Sequence, residues 1–255
     1  MVIDAHAHSD EFEVWGWYDP PEKVLKLMDE AGIDIAVITT YADEPGPALG
    51  LKNLESYVEK YPNRLIGFPR MDPRYGQRAV DIFERTIKSN KHMRGLKLHP
   101  ISNIVKPFAP LCLQLIRKAG ELGVPVFFHC GDRALAQPLQ IGKAAEKCPD
   151  TTIIFHMGGY FHGEDSISVA ERYGNIVLDT SSTPYLDIIR KAIEVLGSKR
   201  VVFASDNPAG DPISELKKIR MLELPKEVEE RILWKNIAEI LGIGSLIHNQ
   251  RLVWT

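Results

Sequence analysis

His6 and His8 stand two apart near the start of the chain, in the run Val2-Ile-Asp-Ala-His-Ala-His8. On an extended strand that spacing puts both side chains on one face, and roughly 7 Å of rise lets the two imidazoles close on a single cation. Alone, such a pair is equally well explained by two polar residues at a wet strand end. Other residues weaken that explanation: His129 closes the apolar run Val124-Pro-Val-Phe-Phe-His129, His156 closes Thr152-Ile-Ile-Phe-His156, and Asp206 follows Val201-Val-Phe-Ala-Ser205. Neutral imidazoles with one carboxylate make a donor set for a divalent metal, zinc first, with manganese or nickel as alternatives. An ion held this way would lower the pKa of bound water from 15.7 toward about 7. Asp206 would then carry the proton, and His156 would help stabilise the oxyanion.

These residues need a scaffold that gathers the ends of distant strands. Eight β-branched runs supply it: 2–6, 34–39, 65–71, 94–99, 124–129, 152–156, 175–179 and 200–205. Their starts lie 23 to 32 residues apart, and the stretches between carry helical periodicity, as in Glu22-Lys-Val-Leu-Lys-Leu-Met-Asp-Glu-Ala31. Gly32, Gly123 and Gly197 punctuate the beat where helices should end. The pattern predicts an α/β fold, a single-domain (β/α)8 TIM barrel over 1–243, with 244–255 as a C-terminal tail docked through Leu246, Ile247, Leu252 and Trp254. A doubly wound open sheet is the fold alternative, but no G-x-G-x-x-G follows the first strand and no phosphate-binding G-x-x-x-x-G-K-[ST] occurs. In a barrel the chemistry sits at the C-terminal strand ends, where His6, His8, His99, His129 and His156 all fall.

Composition narrows the partners. The 255 residues are 44% hydrophobic and 25% charged, as in a globular protein with a sizeable core. A formal charge of −3 offers no basic field for nucleic acid or an anionic membrane, so a small-molecule substrate is expected and a homodimer stays open. Three cysteines without a C-x-x-C pair suit a reducing compartment, and no charged leader or long apolar run points to export or membrane insertion. The expectation is a cytoplasmic protein.

The ordered series Asp4-Ala-His-Ala-His8, Gly95-Leu-Lys-Leu-His-Pro100, His129-Cys-Gly131, His156-Met-Gly-Gly159, Leu178-Asp-Thr-Ser181, Ala204-Ser-Asp-Asn-Pro208 and Lys235-Asn-Ile-Ala-Glu-Ile-Leu-Gly242 resembles the amidohydrolase superfamily. The nearest branch is the amidohydrolase-related group that includes aminocarboxymuconate-semialdehyde decarboxylase, and the resemblance runs from residue 1 to about 243. It implies a barrel metalloenzyme in which His6, His8, His129 and Asp206 hold the metal, with His156 assisting catalysis or binding a second ion. Lys97 stands where binuclear members carry a carboxylated lysine or a glutamate, so the resemblance leaves one or two metals open. A free ammonium cannot ligate; uncarboxylated, Lys97 would be a cation in a carboxylate-rich barrel or a binder of a substrate acid group. His99 shares its face and is expected to line or buttress the pocket.

Such a site hydrolyses small amides, lactones or esters, which is the first expectation. The alternative is non-oxidative decarboxylation of a small unsaturated or aromatic acid; a TatD-like metal-dependent deoxyribonuclease is a second, opposed by Lys97 and by His156-Met-Gly-Gly. A barrel that merely binds a metal or ligand would lack an open coordination position. Substrate contacts are expected from Trp15 and Trp17 in the aromatic first loop, from Arg70 and from His99, with Tyr160, Phe161 and Arg133 as further loop candidates. Cys130 should face away from the site as a packed core residue, and Gly158-Gly159 should form a tight turn.

Overall fold

The computed structural model describes residues 1–12, 16–44, 46, 48–248 and 251–252. The expected positions Trp15 and Trp254 lie outside the described residues. Eight parallel strands form the barrel: β1 (Ile3–His8), β2 (Ile35–Thr39), β3 (Leu65–Gly67), β4 (Leu96–Leu98), β5 (Val126–Phe128), β6 (Ile153–His156), β7 (Ile176–Asp179) and β8 (Val201–Val202). Strands β1 to β3 pair in one run and β4 to β8 in another. Parallel bridges Gly67↔Met93 and Arg70↔Lys97 join the runs on one side, and Ala7↔Asn207 closes the ring between the first and last strands. This is the (β/α)8 barrel that the sequence rhythm predicts.

Helix boundaries follow local chemistry. Proline opens the helices Pro21–Ala31, Pro110–Glu121, Pro138–Lys147 and Pro212–Met221, where its missing N–H costs nothing. Gly32 ends the first of them at φ 74, a left-handed cap that a side chain would disfavour.

The core has two layers. Leu96, Leu98, Phe128, Ile153, Phe155 and Leu178 face outward onto the helices, while Ile3, Ile35, Phe68, Phe127, Ile154, Val177 and Val202 fill the lumen. Leu252 is buried against the luminal set, with Leu246 and Ile247 packed beside it, and Ile247–His248 pairs antiparallel with Arg251–Leu252. The described tail residues therefore stopper the closed end of the barrel. Gly95 makes room for the lumen: a Cβ there would sit 2.3 to 2.5 Å from three ring atoms of Phe68. Among the described residues no helix is long and apolar enough to cross a membrane.

Candidate metal centre

The two histidines of β1 reach the lumen by a detour. Ile3 pairs with Ile35 and Asp4 with Ala36, but the next partners are Ala7 with Ile38, so β1 carries one residue more than β2 over this stretch. That bulge flips the alternation. Below it Ile3 and Ala5 point into the barrel; above it His6 and His8 do, while Ala7 joins the outer core. Asp4 holds the bulge: Oδ1 accepts from the His6 amide at 3.1 Å and from the Ser205 amide at 2.9 Å, and Oδ2 accepts from the Ser205 hydroxyl. Burial pushes the Asp4 carboxyl up to about 7 against those hydrogen bonds.

Asp206 arrives from the other side of the seam. Its amide donates to the His6 carbonyl at 2.9 Å, and its φ of 56 is a left-handed turn that aspartate tolerates better than most side chains. Asp206 Oδ1 lies 3.3 Å from His6 Nε2 and 3.2 Å from His8 Nε2. Burial alone would raise the Asp206 pKa, yet hydrogen bonds from His6 and His8 hold it well below the usual carboxylate range. Burial also lowers the pKa of both imidazoles, with the nearby Lys97 adding to the shift at His6, so both rings are neutral at neutral pH and an ion can displace the single proton each shares with Asp206. Ligands at about 2.05 Å around a tetrahedral ion lie roughly 3.3 Å apart, which fits the spacing seen here. One donor atom from each of His6, His156 and Asp206 lies within 4.8 Å of the others. Charge, protonation and spacing all fit a divalent metal.

His156 is aimed by two residues that sequence reasoning passed over. Its Nδ1 is 2.9 Å from Ser181 Oγ and 3.0 Å from Asp179 Oδ2, both buried. The Ser181 hydroxyl donates to Asp179 Oδ1 at 2.6 Å, so it accepts from Nδ1–H of the imidazole. The proton therefore sits on Nδ1, and the Nε2 lone pair is left for the site. The motif Leu178-Asp-Thr-Ser181 was visible in the sequence, but its carboxylate gave no sign of pointing inward.

Lys97 is buried with its Nζ 3.0 Å from His6 Nε2 and 4.3 Å from the centre of the Phe127 ring. Burial brings its pKa down to about 7, with Asp206 opposing. His99 and His129 stack at 4.2 Å and 6°. The His99 Nδ1 accepts from the Ser102 amide at 3.3 Å, capping the short helix Pro100–Asn103 and leaving Nε2 to carry the proton. Burial, then the neighbouring His156 imidazole, pushes His129 down to about 2. His129 meets His156 edge-on at 5.4 Å and stands outside the tight group of His6, His156 and Asp206.

A cavity of about 420 Å³, lined among others by Phe12, Trp17, Tyr41, Arg70, Asp43 and Ser102, has none of the donor side chains in its wall and adjoins the cluster through Tyr41, whose ring stacks on His8. Trp17 is 42% exposed and meets Tyr41 at 4.6 Å. Arg70 is buried, with its Nε and Nη2 both committed to Asp43. That partner was absent from the sequence reading of Arg70 as a carboxylate binder. Tyr160, Phe161 and Arg133 are exposed, and Cys130 is buried in the outer core, facing away from the site. A Cβ at Gly158, φ 80, would meet the His162 carbonyl oxygen at 2.3 Å, so the glycine pair is a tight turn.

The amidohydrolase family model matches residues 3–243. No curated protein matches the sequence. Among solved structures, 5-carboxyvanillate decarboxylase from Sphingomonas paucimobilis is similar with a TM-score of 0.74 at 17% identity, covering 94% of this chain and 98% of that one. Dihydroxybenzoic acid decarboxylase from Polaromonas sp. JS666, with bound manganese and the inhibitor 2-nitroresorcinol, has a TM-score of 0.71 at 17% identity, with 95% and 96% covered. A 5-carboxyvanillate decarboxylase from Novosphingobium aromaticivorans, with bound manganese and 3-methoxy-4-hydroxy-5-nitrobenzoic acid, has a TM-score of 0.77 at 14% identity, with 95% and 97% covered. At these identities the likeness establishes a common fold.

Proposed function

This chain belongs to the amidohydrolase family, and from that premise we propose that it is a metal-dependent carboxy-lyase acting on a small aromatic acid. The observation that carries the reading is the cavity of about 420 Å³ that adjoins the donor cluster through Tyr41, with the Phe12, Trp17 and Tyr41 rings and the buried Arg70 in its lining. It suits a flat ring bearing a carboxylate. Hydrolysis of an amide, lactone or ester, first in the sequence reading, has less support than decarboxylation, because the three solved enzymes named above are decarboxylases. Manganese in two of them supports a divalent ion without favouring zinc.

His6, His8, His156 and Asp206 would hold the ion, with His129 and Lys97 at its margin. When bound, it supplies positive charge against which a substrate carboxylate and its neighbouring oxygen are fixed. Trp17 and the Arg70–Asp43 pair frame the ring, and His99 presents an N–H donor near the mouth. Asp206, ionised at rest, takes a proton drawn from solvent and passes it to the ring carbon that bears the carboxylate. As that C–H bond forms, the bond to the carboxylate carbon breaks, its electron pair returns to the ring, and carbon dioxide leaves.

The test is a panel of hydroxybenzoates and carboxyvanillate offered to manganese- or zinc-loaded protein, with carbon dioxide measured directly. In deuterium oxide the product should carry one deuterium at the vacated ring carbon. Turnover of lactones or amides with no carbon dioxide from any acid would return the protein to hydrolysis.

A further inference from the structure

A ligating imidazole is ordinarily aimed by a hydrogen bond from its second nitrogen. His156 has that aid in Ser181, with the Asp179 carboxylate 3.0 Å from the same nitrogen. His8 does not: its Nδ1 is buried with no hydrogen-bond partner among the described residues. What it has is a flat neighbour. The Tyr41 ring lies 4.6 Å from the His8 ring with 7° between the planes.

Tyr41 is itself held on three sides. Its amide donates to Asp10 Oδ2 at 3.0 Å, its hydroxyl feels the negative charge of the Asp19 carboxylate, and its ring meets Trp17 at 4.6 Å. Asp19 is fixed in turn by Lys23 at 2.6 Å. All of these contacts come from the hairpin formed by Asp10–Phe12 and Trp17–Asp19 or from the helix after it. A ring clamped this firmly leaves the stacked imidazole few orientations, which limits the entropy lost when Nε2 takes a ligand.

We infer that Tyr41 is the positioning residue for His8, replacing the missing hydrogen bond with a stacked face and tying the affinity for metal to the hairpin that walls the substrate cavity. The inference rests on the metal-dependent reading above and extends it to a residue outside the donor set. It needs no substrate to test.

Zinc and manganese affinities are measured by competition with a chelator on the parent, Tyr41→Leu, Tyr41→Phe and a control, Tyr57→Leu. Tyr57 is a buried tyrosine whose hydroxyl donates to Glu11 of the same hairpin at 3.0 Å. Tyr41→Leu should weaken metal binding about 10-fold to 100-fold, the range for losing an orienting partner. Tyr41→Phe, which keeps the ring, should stay within about threefold of the parent. Tyr57→Leu should lower the melting temperature of the metal-free protein yet leave metal affinity in place. If the leucine variant does not fold, Tyr41→Met carries the same expectation, since it keeps bulk without a flat face. The inference is overturned if Tyr41→Leu binds metal as tightly as the parent, if Tyr41→Phe falls as far as leucine, or if Tyr57→Leu weakens binding equally. A parent that binds neither ion overturns the metal-dependent reading itself, a result seen before any variant is made.

Discussion

Asp179→Asn changes one oxygen to an amide nitrogen in a fully buried position, so its effect can be worked from the hydrogen-bond pattern. Asp179 Oδ1 accepts from both the amide and the hydroxyl of Ser181, at 2.8 and 2.6 Å, which fixes the asparagine oxygen at that side. The new NH2 then falls at Oδ2, 3.0 Å from His156 Nδ1, and must find an acceptor there. The nearest ring nitrogen to it is His156 Nδ1, which offers a lone pair once its proton has moved to Nε2. The variant thus inverts the tautomer and turns an N–H toward the metal donors. Second-partner losses of this kind typically cost about 10-fold to 100-fold in metal affinity or activity, equivalent to about 1.4 to 2.8 kcal/mol. Nitrogen-15 NMR of the zinc-loaded and metal-free proteins would read the tautomer directly, and chelator competition would read the affinity. A variant with unchanged tautomer and metal affinity within threefold of the parent refutes the reasoning.

Replacing Arg70 by Met should cost about 1–3 kcal/mol in denaturant unfolding, because it leaves the half-buried Asp43 carboxylate without its guanidinium partner. The double change with Asp43→Leu should recover most of that loss; a double variant as unstable as the single one would show that packing, not charge, was removed. The folded chain holds a proton on Asp4 up to about pH 7 that the unfolded chain releases near 3.8, so this group makes stability fall as pH rises from 4 to 7. Metal-free Asp4→Asn should lack that component, gaining on the parent across the window, and parallel curves of melting temperature against pH would contradict it. Gly95→Ala forces a Cβ into the Phe68 ring and should destabilise by about 1–3 kcal/mol, a loss that Phe68→Leu partly relieves.

The barrel was legible because each βα unit repeats the same two periodicities, and because histidines at strand ends are conspicuous against apolar runs. The H-x-H spacing put His6 and His8 on one face through an incomplete argument. Alternation alone makes His6 and His8 share the face of Asp4, and only the bulge turns them into a lumen whose floor is built by Ile3 and Ala5. A bulge leaves no compositional mark, so Asp4 read as part of a motif without a task. Asp179 and Ser181 were hidden for a related reason: a strand-end aspartate looks the same whether it meets water or an imidazole. Tyr41 was less visible still, since stacking depends on ring planes that sequence spacing does not encode. Arg70 was found, but Asp43 lies 27 residues away and only the folded chain joins them.

The seam between β1 and β8 has a consequence for how the protein is made. His6 and His8 leave the ribosome some two hundred residues before Asp206 and the Ser205 that locks onto Asp4. Until then the nascent chain carries two histidines without the carboxylate that completes their cage, and the outer edge of β1 has no strand to lie against. On the proposed metal-dependent reading, tight capture of an ion waits for the last barrel strand, and a chain cut short before that strand would expose an open edge and bind metal weakly. Ring closure and the birth of the site are one event in the life of the polypeptide.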